Sequence, residues 1–146
     1  MMTSIRRSRL DEGLRMVEIW RAAVDATHDF LTPEDRIAID EEVQGFLPST
    51  PLWVAVDESD RALGFMLLDD DRMEALFVDS AYRHQGVGRA LVGHALQLQS
   101  AITTEVNEQN AQAVGFYEHL GFVRTGRSAD DGQGRPYPLI HMQLCR

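Results

Sequence analysis

Lysine is absent from this chain of 146 residues: all 14 basic residues are arginine, set against 23 acidic ones for a formal net charge of -9. A nucleoside-triphosphate loop built on Gly-Lys-Ser/Thr is therefore excluded. The same absence means that the chain cannot be acylated on side-chain amines of its own. The acidic balance speaks against general nucleic-acid binding, which draws on basic patches. Cysteine occurs once, as Cys145, so no internal disulfide can form, and a reducing, cytoplasmic setting is expected. No apolar run approaches the ~18 residues of a membrane span. Nor does the start of the chain hold a hydrophobic signal core, since Arg6, Arg7 and Arg9 are followed by Asp11 and Glu12. Histidines at 28, 84, 94, 119 and 141 show no zinc-like spacing. Asp69-Asp70-Asp71 reads as a hydrophilic turn rather than a metal site, so no metal is expected.

What is present suits one folded domain over residues 1–146, with 44% hydrophobic residues to build a core. A short β-like segment at about residues 3–8 comes first. Apolar residues at Leu14, Val17, Ile19, Trp20, Ala23 and Val24 then recur at helical spacing over about 10–27. Thr32-Pro33-Glu34-Asp35 has the form of a second helix start, with Ile37, Ile39, Val43 and Phe46 continuing it to Pro48. Strands follow at 52–56, 62–68 and 73–78, then a helix, a strand at 102–106, a helix at 111–120 stopped by Gly121, and strands at 122–126 and 139–144. The order βααβββαβαββ is α/β: one mixed, largely antiparallel sheet of about seven strands with helices on both faces.

The chain is organised around the turn between the strand ending at Val78 and the helix whose apolar stripe runs through Val87, Ala90, Leu91, Ala95 and Leu98. Gly86 and Gly88 stand where that helix begins, and its first N–H groups have no internal partner. Such an opening accepts anions, phosphate above all. Arg83, His84 and Arg89 crowd into seven residues of an otherwise acidic protein. A dinucleotide loop would need a third glycine where Leu91 stands. On the turn alone, an ordinary helix start and an anion site are both open.

The spacing Arg83-x-x-Gly86-x-Gly88 resembles the pyrophosphate motif, Arg/Gln-x-x-Gly-x-Gly/Ala, of the GNAT superfamily of acetyl-CoA-dependent N-acetyltransferases. Downstream, the strand through Glu105-Val106, Asn110 at a helix start and Tyr117-Glu118-His119-Leu120-Gly121-Phe122 are similar to the second signature of that family. The resemblance extends over essentially the whole chain. Its Asp25–Leu31 segment most resembles the YjaB-type bacterial members, from which no acceptor is carried over.

The resemblance implies transfer of acetyl from acetyl-CoA directly to a primary amine: a protein or peptide lysine, an N-terminus or a small amine. Backbone N–H groups across Gln85, Gly86, Val87, Gly88, Arg89 and Ala90, beside Arg83 and His84, are expected to hold the pyrophosphate. The strand Leu76-Phe77-Val78 is expected to pair with the pantetheine arm and to offer an N–H to the thioester carbonyl. Asn110 is expected to contact the same arm, to cap its helix, or both. Tyr117 is implied as the acid that meets the leaving sulphur, or else it packs its helix on the sheet. Three groups stand as bases. Glu74 shares a strand face with Leu76 and Val78, because side chains alternate with period two, and so points toward the side where the thioester is expected; Glu105 precedes Tyr117 by twelve residues; an unperturbed imidazole such as that of His28 titrates near neutrality. His28 and Phe30 either roof the acceptor pocket or staple a helix–helix turn. The partners are acetyl-CoA and an amine, with the protein a monomer or homodimer. The alternatives are a non-catalytic acyl-CoA-binding module and an antibiotic- or toxin-type acetyltransferase.

Overall fold

A computed structural model describes residues 3–146, with strands β1 (Ser4–Arg7), β2 (Trp53–Val56), β3 (Ala62–Asp69), β4 (Arg72–Val78), β5 (Ala101–Asn107), β6 (Val123–Ser128) and β7 (Leu139–Cys145). Helices α1 (Gly13–Thr27), α2 (Pro33–Phe46), α3 (Val87–Leu98) and α4 (Ala111–Leu120) connect them in the expected order. The strands form one sheet, β1-β2-β3-β4-β5-β7-β6, in which β4 and β5 are the parallel pair and all other neighbours are antiparallel. No helix among the described residues is long and apolar enough to cross a membrane.

Each face of the sheet carries its own apolar cluster. Met16, Ile19, Trp20 and Val24 of α1 and Val43 of α2 pack on Val54, Val56 and Phe65. Val87, Leu91, Val92 and Ala95 of α3, with Val114 and Tyr117 of α4, pack on Leu63, Met66, Met73, Ile102 and Val106 across the sheet. Removing each such large side chain from water contributes about 1.5–3 kcal/mol. The helical stripes hold with four exceptions: Leu14, Ile37, Phe46 and Leu98 are exposed. Leu14 falls in the first turn of α1, which opens at Gly13 behind a 3-10 turn, Leu10–Glu12.

Two bulges alter the faces. Val54 and Ala55 pair with Phe65 and Gly64, but Val56 pairs with Ala62, so Leu63 is the extra residue in β3. Leu67 and Leu68 pair with Ala75 and Met73, which leaves Glu74 as the extra residue in β4. A bulge adds one residue and shifts the side-chain alternation that follows. The β4–β5 pairing is also brief, covering Arg72↔Thr103 and Met73↔Thr104 alone. Beyond it the strands diverge, and the β5-facing edge of β4 from Ala75 to Val78 has no strand partner. The aspartate turn joins β3 to β4 with Asp70 at φ +52°, a conformation aspartate tolerates.

Candidate active site

The turn after β4 is held by a buried ion pair. Asp79 accepts the Ala81 N–H at 3.0 Å and faces the Arg15 guanidinium at 2.8 Å, while Arg15 also donates to the Ala62 carbonyl at 3.1 and 2.7 Å. A partly buried charge is tolerated when a partner of opposite sign and further hydrogen bonds accompany it, as the Ala62 carbonyl and the Ala81 N–H do here. The chain then turns through His84 at φ +63° and Gly86 at φ +82°. Gly86 is the N-cap of α3 and brings no side-chain acceptor. The first hydrogen bond within the helix runs from the Ala90 N–H to the Gly86 carbonyl at 3.0 Å. The amides of Val87, Gly88 and Arg89 are thus left with no helical partner. Ala90 was expected to share in the anion site, but its N–H is committed to the helix.

Gly88 serves a different end. A Cβ at that position would lie 3.0 Å from the Phe116 ring, so its small size lets α3 and α4 close on each other. Arg83 donates to Gln112 Oε1 at 2.9 Å and ties the turn to α4.

Between β4, α3, α4 and the end of α1 lies a cleft of about 270 Å³. Gly86, Val87 and Gly88 line one part of it with Arg83, His84 and Arg89; Leu76, Phe77 and Val78 line another. Tyr117, Asn110 and His28 complete the wall. Most of the residues singled out in the sequence are thereby brought to one cavity. An anion fits the α3 part, because the first turn of that helix contains no acid and its open amides carry the positive end of the dipole.

Tyr117 is 7% exposed, and burial raises its phenol well above the ordinary value, against a smaller opposing effect from a hydrogen bond with Thr104. The side chain accordingly stays protonated at every physiological pH and acts as a donor. Thr104 donates in turn to the Met73 carbonyl at 2.9 Å, at the point where β4 and β5 part. Asn110 accepts the Ala113 N–H at 3.2 Å, so it caps α4 while also lining the cleft.

His28 sits at the end of α1, where burial lowers its pKa below the ordinary value and the nearby Asp29 charge opposes that. The imidazole is therefore neutral at pH 7.

Neither carboxylate lines the cleft. The bulge at Glu74 corrects the regular alternation expected for β4. Leu76 and Val78 pack with Met73 in the α3–α4 cluster, whereas Glu74 lies by Trp20, Phe46 and Phe77 on the opposite face, 3.8 Å from Arg72. Glu105 alternates with Thr104 and also turns away from α4, 3.5 Å from both Arg72 and His141. Phe30 does not line the cavity but packs between His28 (centroids 5.2 Å apart) and Tyr137 (5.9 Å), joining the α1–α2 connection to the segment before β7. Gln85 is exposed outside the cavity.

Sequence reasoning passed over Thr27, Tyr82 and Gln112 on the cavity wall, and the Arg15–Asp79 pair beneath it. The signal that points to Thr104 is a hydroxyl in an otherwise apolar alternation, Ile102-Thr104-Val106. Among the described residues, no three His, Cys, Asp or Glu side chains gather as a metal would require.

Comparison with known proteins bears on the family and the fold. Residues 48–124 match the Acetyltransferase (GNAT) domain. The chain is 55% identical over 142 residues to Peptidyl-lysine N-acetyltransferase YjaB of Salmonella typhimurium, covering 97% of this chain and 98% of that protein. The solution structure of apo-form YjaB from Escherichia coli superposes with a TM-score of 0.95 at 55% identity, over 98% of this chain and 97% of that one. A candidate streptothricin acetyltransferase from Bacillus anthracis, solved with acetyl coenzyme A, is 26% identical with a TM-score of 0.59, over 66% of this chain and 62% of that one.

Proposed function

The chain belongs to the GNAT family of acetyltransferases, and from that premise we propose that it transfers acetyl from acetyl-CoA directly to lysine side chains of peptides or proteins. The observation that carries the reading is the single cleft joining the open amides of α3 to a buried phenol and a neutral imidazole. Peptidyl lysine is the acceptor named for the relative at 55% identity, and it is an acceptor this chain does not itself contain. The residues from 3 to 146 act as one domain, since both apolar clusters share one sheet. The compartment proposed is the cytoplasm, where acetyl-CoA and protein lysines meet.

The roles follow from the site. Val87, Gly88 and Arg89 offer amides to the pyrophosphate, with Arg83 and Arg89 adding positive charge and His84 beside them. The unpaired edge of β4 supplies main-chain groups to the pantetheine arm and one N–H to the thioester oxygen, where negative charge grows during attack. Tyr117 donates its phenolic hydrogen to the departing sulphur. Phe30 supports His28 by packing on its ring, and Glu105, held between Arg72 and His141, is given no part in the transfer.

A thiol-release assay with acetyl-CoA and a panel of lysine peptide, spermidine, an aminoglycoside and free amino acids tests the acceptor. The lysine peptide is expected to give the highest kcat/KM; an aminoglycoside ahead by tenfold would replace the reading with an antibiotic-modifying one. Tyr117→Phe is expected to lower kcat about 10²–10³-fold, with acetyl-CoA affinity by titration calorimetry within twofold of the parent. A variant as fast as the parent removes Tyr117 from the chemistry. Absence of saturable acetyl-CoA binding removes the whole proposal.

A further inference from the structure

An amine held beside a thioester must lose a proton as it attacks, and neither carboxylate first considered for that task lines the cleft. His28 does. Its Nδ1 lies 2.7 Å from Thr27 Oγ1, and the same hydroxyl donates to the Ala23 carbonyl at 2.8 Å. A hydroxyl has one hydrogen and a carbonyl has none. With the Thr27 hydrogen committed to Ala23, the hydrogen between Thr27 and His28 must come from the imidazole. The neutral ring therefore carries its proton on Nδ1, and Nε2 presents a lone pair. Among the described residues Nε2 has no hydrogen-bond partner, and unlike His94 Nε2 it is not sealed from solvent. Phe30 packs on the same ring and limits its rotation.

We propose that His28 Nε2 is the proton acceptor for the attacking amine, with Thr27 a positioning residue that selects the tautomer. The proposal rests on the acetyltransferase reading above. A lysine ammonium first releases one proton to solvent. As the amine nitrogen bonds to the thioester carbon, Nε2 takes a second. The carbonyl re-forms, the C–S bond breaks with its electron pair on sulphur, and sulphur takes the Tyr117 hydrogen. The imidazolium then returns its proton to the phenolate through water. The products are an N-acetyl-lysine, free coenzyme A and one proton.

The charged and titratable groups around His28 are Asp29 beside it, Tyr137 behind Phe30 with Asp35 hydrogen-bonded to that phenol, and Tyr82, Tyr117, Arg83, His84 and Arg89 on the walls of the cleft. Asp29 is the one whose charge acts on the ring, and it raises the pKa that burial lowers.

The test is the pH profile of kcat/KM for a lysine peptide in the full chain, comparing the parent, His28→Gln and Thr27→Val, with acetyl-CoA binding measured on each. The parent is expected to rise with a logarithmic slope of about two below the imidazole pKa and about one above it, because substrate and base must both be deprotonated. His28→Gln should lose 10²–10³-fold at pH 7 and show one slope throughout. Its acetyl-CoA affinity should stay within threefold. Thr27→Val should lose about tenfold and keep the break, since the base is misplaced but present. A His28→Gln variant within threefold of the parent, or one that retains the break, overturns the role of His28 and leaves the acetyltransferase reading standing. A parent that binds acetyl-CoA but turns over no lysine peptide overturns both the acceptor and the base assigned to it.

Discussion

Helices α2 and α3 open in opposite ways. Thr32 caps α2 by accepting the Asp35 N–H at 3.1 Å, proline follows the cap, and Glu34 and Asp35 set negative charge against the dipole. At the equivalent places α3 has Gly86 with no side-chain acceptor and Arg89 where α2 has Asp35, with no acid in the turn. The arginines differ to match. Near α2, Arg36 binds Asp25 and Asp40, and Arg21 also binds Asp40; at α3, Arg83 meets only an amide oxygen among the interactions described. One helix start is complete in itself, and the other is complementary to an anion from outside. The capped opening needs nothing further, whereas the bare one leaves its positive dipole end facing the cleft among arginines.

Exchange of the two patterns is the strongest way to break this contrast. Arg89→Glu gives α3 the acid that α2 has, which should weaken acetyl-CoA binding about 50–100-fold by calorimetry while thermal stability holds or rises, by about 0.3–1 kcal/mol. Weak binding accompanied by lower stability would mean that Arg89 supports the fold instead. Gly86→Ala comes next. Nothing lies near a Cβ there, so the cost is conformational alone, about 1–2 kcal/mol for a side chain at φ +82°. Acetyl-CoA affinity is expected to fall about tenfold as the amides tilt.

Thr32→Ala sharpens the contrast from the other side. Loss of that cap should lower stability by about 1 kcal/mol in a denaturant titration and leave acetyl-CoA affinity within twofold. A tenfold change in affinity would show that the α2 opening also takes part in binding. The smallest effect is one of pH. Asp40 is held below the usual carboxylate range, first by its hydrogen bond with Arg21, then by those with Arg36 and Gln44, while desolvation opposes. A lowered folded pKa contributes stability that is complete above the unfolded value of about 3.9 and is lost as pH falls toward the folded value. The stability gap between the parent and Asp40→Asn should thus be constant from pH 5 to 7 and narrow below pH 4. A gap that widened in acid would contradict the pairing.

The element order was legible because each element has a period or a cap of its own: the stripe from Val17 to Val24, Thr32-Pro33, Asn110, and Gly121 at φ +107° closing α4. The proposed anion site was legible for the same local reason, since Gly86, Gly88, Arg83 and Arg89 are near neighbours in the chain. Glu74 was misread for a reason equally clear. Side-chain direction in a strand depends on counting by twos, and one extra residue between Met73 and Ala75 reverses the count. Nothing in Met73-Glu74-Ala75 announces that bulge, which arises from how β3 and β4 settle against each other. The Arg15–Asp79 pair spans 64 residues and could not be inferred from either neighbourhood.

The order of strands and helices, the family, and the place of the glycine–arginine turn proposed to receive pyrophosphate were set by the amino-acid sequence, because hydrophobic period, capping and that turn act within a few residues. Tertiary structure alone decided which groups can meet. It parted β4 from β5 after Met73, turned both carboxylates away from the cleft, and brought Thr27, His28 and Tyr117 to its wall. Those outcomes depend on strand register and on one hydroxyl hydrogen that can be given to only one neighbour, and both are settled only when distant segments pack.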